Sequence, residues 1–176
     1  MENLNIDIKK FSEYVVNLVY GVNGFDINDR NNQKVSPLRL QNLLYCAYVW
    51  ALATWDKKLW SNNFEKWVIG PVIPEIYHDY SKNGVRLFNW EKHFVKFPEL
   101  KNIEKLDLEV LIANINAKYN DIELAKLINN DVWKNTIANS IIKNEDIIKY
   151  YSENNNNFLD KIMYDSSLKN DIKFFS

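Results

Sequence analysis

The sequence predicts a mostly α-helical domain with one small β element near residues 64–69, and three observations predict it. Apolar residues recur at helical spacing through residues 6–22, 37–54, 103–120 and the segments that follow. A strand-like alternation shows where Phe64, Lys66 and Val68 interleave with Glu65, Trp67 and Ile69. At 176 residues, 47% of them hydrophobic and 14% aromatic, the chain has ample material for one packed core, so residues 1–176 are expected to form a single domain.

The first helix is expected over residues 6–22, where Ile8, Phe11, Val15, Leu18 and Val19 fall near helical spacing. Residues 21–34 read as a polar surface loop, with turn residues throughout. The next helix organises the chain. Ser36 can accept from free first-turn amides, and Pro37 lacks an amide that would go unpaired there anyway, so a helix starts at Pro37 and runs to about Thr54. Leu40, Leu43, Leu44, Ala47 and Ala51 form one stripe; Gln41, Tyr45, Tyr48 and Leu52 form the next; Asn42, Cys46, Val49 and Ala53 lie on the third side. Such a helix belongs in the middle of a core. Its polar first turns leave too little apolar length to span a membrane.

Beyond it, the pattern gives a strand at 64–69, a turn at the Gly70-Pro71 dipeptide and a helix from Pro74 that stops at Lys82-Asn83-Gly84. Residues 86–97 are aromatic-rich and carry no clear period. The C-terminal part, 103–176, returns to helical spacing: one helix to about Asn120, another from Asp121 with Leu124, Ala125 and Leu127 inward, and a third at 145–151 capped by Asn144. Asn154 to Asn157 break the pattern, and Phe158, Leu159, Ile162 and Met163 suffice for one terminal helix.

Charge narrows the function classes. A net charge of −1 with three arginines (Arg30, Arg39, Arg86) offers no cationic surplus for phosphate, so no nucleic acid is expected as partner. The lone Cys46 excludes an internal disulfide and fits a reducing compartment; with no apolar leader behind a basic start, a cytoplasmic protein is expected. His78, His93 and Cys46 show no metal-ligand spacing, the four glycines form no phosphate loop, and no nucleophile has a visible base. No cofactor, no metal and no catalysed reaction are expected.

The residues Ser36-Pro37-Leu38-Arg39-Leu40-Gln41-Asn42-Leu43-Leu44-Tyr45, then Trp67, then the run from Gly70 through Tyr77 (GPVIPEIY), resemble the Panacea domain, also described as SocA-like or GepA-like. The core of the resemblance spans 35–84. It extends to Trp133, the Ile141-Ile142 pair, Glu145, Ile147, Ile148 and the Tyr150-Tyr151 pair, with Asn129-Asn130-Asp131 where a histidine is usual. The resemblance implies an antitoxin of a bacterial or phage-borne toxin–antitoxin pair, with a cognate toxin protein as partner and, in one branch, a protease to which the toxin is delivered. The motif residues it singles out for partner binding are Gln41, Tyr45, Tyr48, Trp67, Glu75 and Tyr77.

Two readings of this group stay open. Gln41, Tyr45 and Glu75 are expected to lie together near the Gly70-Pro71 dipeptide, either pinning two helices together or facing a toxin. The rival functions are proteolytic delivery and an enzyme using an aromatic pocket around Trp67 and Trp90, for which the sequence offers no acid–base set.

Overall fold

The computed structural model describes residues 1–22, 35–83, 96–154 and 158–164. Those residues form eight helices and two two-stranded sheets, the mostly helical architecture that the periodicity predicts. Helix α1 (Ile8–Val22) starts where Asp7 Oδ1 accepts from the amides of Lys9 and Lys10, and it buries Phe11, Val15, Val16 and Val19. The expected loop that follows lies, from residue 23, outside the described residues, as does the aromatic stretch 84–95 with Trp90.

Helix α2 (Pro37–Trp55) is the axis of the molecule, buried continuously from Arg39 to Leu52. Ser36 Oγ accepts from Arg39 N at 2.9 Å, as the Ser-Pro start requires. The helix ends at Asp56, which takes a left-handed conformation (φ 55°) and donates its amide to Ala51 O. Asp tolerates that region better than most residues, which lets the chain turn straight into β2 (Lys57–Lys58). Strand β1 (Glu2–Asn3) lies parallel to β2, so the N-terminus is strapped across the end of α2.

Strand β3 (Glu65–Trp67) pairs antiparallel with β4 (Gly70–Val72). The turn is Val68-Ile69, two residues earlier than expected. Gly70 and Pro71 are strand residues: Gly70 supplies a φ of 131° just after the turn, and β4, paired only with β3 among the described strands, tolerates a proline without an amide to donate. On the other side of β3, residues 139–142 add a short third segment: Lys66 N donates to Ser140 O, Asn139 N to Lys66 O and Ile142 N to Phe64 O, at 2.8–2.9 Å. Helix α3 (Pro74–Asn83) leaves directly from β4.

The C-terminal part closes around α2. Helix α4 (Asn102–Lys118) packs on α1 and α2, and α5 (Asp121–Ile128) opens with a reciprocal cap between Asn120 and Glu123. Its buried residues are Leu124 and Ile128, while Ala125 and Leu127, expected inward, are only half-buried. Helix α6 (Asp131–Asn135) leads to α7 (Asn144–Glu153), which lies along α2, and α8 (Phe158–Met163) docks on α4 through Leu159 and Ile162. Asn144 does not cap α7 as expected; it is the first helical residue, and its side chain is drawn away to accept from the Tyr48 hydroxyl at 3.2 Å. One hydrophobic cluster runs from Leu4 to Ile162.

Candidate functional site

Gln41, Tyr45 and Tyr48 share a stripe of α2, and all three are buried. Gln41 Oε1 accepts from Ile73 N at 2.8 Å, fastening α2 to the junction between β4 and α3. Tyr45 sets its ring edge-on to Phe64 at 5.1 Å, and Tyr48 stacks on Trp60 at 5.3 Å while its hydroxyl is spent on Asn144. Burial pushes the Tyr48 phenol up to about 12 and the Tyr45 phenol well above its ordinary value, so both stay protonated, Tyr48 as a donor and Tyr45 as a packed ring. Burial also raises the Cys46 thiol, which removes the thiolate that nucleophilic chemistry needs.

Trp67, Glu75 and Tyr77 are placed differently. Trp67 donates Nε1 to Glu65 Oε2 at 2.9 Å, and its ring meets Tyr77 at 5.3 Å and His78 at 5.8 Å, a small aromatic cluster on the outside of the hairpin. Next to it Val68, in the turn, is 94% exposed, and Ile141, opposite Glu65, is 51% exposed. Glu75 pairs with Lys9 at 2.8 Å and accepts from Asn62 at 3.3 Å, on the exposed surface. The expected trio is therefore split: Gln41 reaches the end of β4, while Glu75 ties α3 to α1. The six motif residues divide into a buried half and a surface half.

Beneath the hairpin, the two halves of the sequence meet. An ideal Cβ placed on Gly70 would sit 3.6 Å from Asn42 Oδ1 and 3.6 Å from Asn129 Oδ1, so a residue of the central helix and a residue at the end of α5 face the same point of β4. This joins the 36–77 motif to the Asn129-Asn130-Asp131 segment that stands at the usual histidine position. Residues 40–171 match the family described as antitoxin SocA-like, Panacea domain. The chain belongs to this family. No curated protein and no solved structure matches it.

In this Panacea protein, the residues that sequence reasoning passed over are the asparagines. Among the described residues, Asn42 Oδ1 and Nδ2, Gln41 Nε2, Asn129 Oδ1, Asn130 Nδ2 and the hydroxyls of Tyr45 and Tyr151 are buried without a hydrogen-bond partner. A signal was present, since Asn42 adjoins Gln41 in an apolar helix and the Asn129-Asn130 pair departs from the family pattern. Lys66 lies on the opposite side of β3 from Trp67. Its ammonium sits 4.7 Å over the Trp133 ring and donates to Lys134 O and Thr136 O, which caps α6.

The arrangement is suited to holding a surface in shape. Among the described residues no three His, Cys, Asp or Glu side chains gather where they could hold a metal ion. No described helix is long and apolar enough to cross a membrane.

Proposed function

We propose that the chain neutralises a cognate toxin by holding it in direct protein–protein contact, with no reaction catalysed by the chain itself. Family membership supports an antitoxin role and, with it, a toxin as partner. The observation that carries the contact reading is the division of the motif: Gln41, Tyr45 and Tyr48 are spent on internal packing, whereas Trp67 and Tyr77 are half-buried, near the exposed Val68 and Ile141. Aromatic residues flanked by exposed aliphatic ones are the usual makings of an energetic contact centre. Three backbone bonds from residues 139–142 hold the hairpin in place, so little ordering cost would be added on binding. Cys46, the only cysteine, is a buried free thiol, which supports action in the cytoplasm.

Co-expression with the protein of the adjacent reading frame tests the reading. Growth arrest by that protein alone, relieved by this chain with the toxin level unchanged, is the expected result. Relief that appears only as the toxin is degraded, and vanishes in protease-deficient cells, would replace direct neutralisation with proteolytic delivery. Absence of any relief would overturn both.

A further inference from the structure

We propose that the toxin adds an extended segment to the open edge of the hairpin sheet and pairs its backbone with Ile141; this rests on the partner reading above. With residues 139–142 beside β3, the sheet runs in the order β4, β3, 139–142. Its β4 side is closed, because the residues of that strand are all buried and β4 packs against α2 and α5. The other side is open: Ile137, Ala138, Asn139, Ile141 and Lys143 are exposed.

The hydrogen bonds fix what that edge presents. Ile141 stands opposite Glu65, and the bonds to β3 come from its neighbours, with Ser140 O accepting from Lys66 N and Ile142 N donating to Phe64 O. In such an antiparallel pairing the N–H and C=O of the middle residue point away from the partner strand. Among the described residues, neither group of Ile141 has a hydrogen-bond partner. A donor and an acceptor side by side on one residue match another extended backbone, which returns both bonds through a single residue of its own. Natural sheets guard such an edge with charge, proline or a covering element. Here the side chain is an isoleucine, 51% exposed.

The length of the edge decides which chain pairs there. Asn139 N and Ser140 O both bond to Lys66, so two residues oppose one, and Asn139 takes the left-handed region at φ 59°. This bulge ends the edge on one side, and Lys143 O, taken by Ile147 N where α7 begins, ends it on the other. So short an edge cannot hold two copies of the chain together by backbone pairing alone. Its occupant is therefore a chain already held nearby. Ile141 points to the same face of the sheet as Glu65, opposite it, and as Trp67, two residues on, where the contact with the toxin is placed. The fitting segment is extended, with an aliphatic or aromatic residue, and not proline, opposite Ile141.

Hydrogen exchange of the full chain, alone and with the purified protein of the adjacent reading frame, reads the pairing directly. The Ile141 amide is expected to exchange freely in the chain alone and at least about tenfold more slowly in the complex. Affinity gives a second readout. Ile141→Ala removes the side chain and keeps the N–H, for a loss of about threefold, whereas Ile141→Pro removes the N–H as well, for a loss of about thirtyfold. The proline variant keeps the wild-type melting temperature, because that N–H forms no bond within the fold. An Ile141 amide unchanged in the complex, or equal losses in the two variants, overturns this inference alone and leaves the hairpin face as a side-chain contact. Slow exchange of that amide in the chain alone overturns it as well, since a second copy then holds the edge. Failure of the wild-type chain to bind the toxin overturns the partner reading and this inference with it.

Discussion

Helix α2 and the β3–β4 hairpin carry similar residues, aromatic side chains with a few polar ones between, and put them to opposite uses. In α2 the polar groups are turned inward: Gln41 holds Ile73 N, Tyr48 holds Asn144, and Arg39 donates Nη2 to Asn116 Oδ1 at 3.0 Å while its other amino group pairs with Asp121. In the hairpin, Trp67 finds its partner in its own strand, at Glu65, and its ring stays half-buried against Tyr77. A motif residue can thus be required because it builds the fold or because it meets a partner, and the difference is decided by where its hydrogen bonds end.

The sharpest way to break the comparison is to damage α2 itself. Leu43 and Leu44 are fully buried at the centre of the core, so Leu44→Ala and Leu43→Ala should each destabilise by about 2–5 kcal/mol, through lost transfer energy and the cavity left behind. Urea denaturation with unchanged midpoints would contradict α2 as the axis of the fold.

Gln41→Ala is the next largest. It leaves the buried Ile73 amide without its acceptor, for a loss of about 1–3 kcal/mol. Protection against the toxin should fall only in proportion to the folded protein remaining. A variant with the wild-type melting temperature that no longer protects would move Gln41 to the recognition side.

These two regions also differ in how legible they are. Ser36-Pro37, the apolar sides of α2 and the Pro74 start are local signals, and each helix formed where its signal stood. Gly and Pro read as a turn wherever they stand, and only the pairing of Trp67 with Gly70 shows that here they follow one and open a second strand that no local pattern marks. Asn144 reads as a cap by the same local logic, yet a tyrosine 96 residues away in sequence claims its side chain. The convergence of Asn42, Gly70 and Asn129 depends on α2, β4 and α5 packing together, and no periodicity within one segment encodes it. The aromatic cluster was half legible: Trp67 and Tyr77 were singled out, but the exposure of Val68 follows from the turn position.

Outside both regions, the N-terminal strap gives a pH-dependent term against which they can be compared. Lys57 donates to Glu104 Oε1 at 2.7 Å, and Glu104 Oε2 accepts from Lys101 N at 2.8 Å. Burial alone would raise the Glu104 carboxyl, but the bonds from Lys57 and Lys101 outweigh it and hold the group below its ordinary value of 4.5. A depressed carboxyl stabilises the fold fully above its unfolded value and loses that contribution as pH falls through the lower folded one. Acid unfolding should therefore be steeper below about pH 4.5 in the wild type than in Glu104→Gln, whose melting temperature is lower at neutral pH and varies less over the acid range. Parallel acid profiles for the two proteins would show that the strap carries no such term.

The smallest expected change in stability is at Val68, and that is what makes it informative. Its side chain is 94% exposed in a two-residue turn, so Val68→Asp removes almost no buried area and should shift stability by no more than about 0.5 kcal/mol. Beside the Trp67–Tyr77 cluster, however, a carboxylate placed at the centre of an apolar contact must be desolvated without a partner, which at a hot-spot position weakens binding about thirtyfold or more. Melting temperature and protection measured side by side should then diverge for Val68→Asp and move together for Gln41→Ala. If Val68→Asp protects cells as well as the wild type does, the hairpin face is not where the toxin sits.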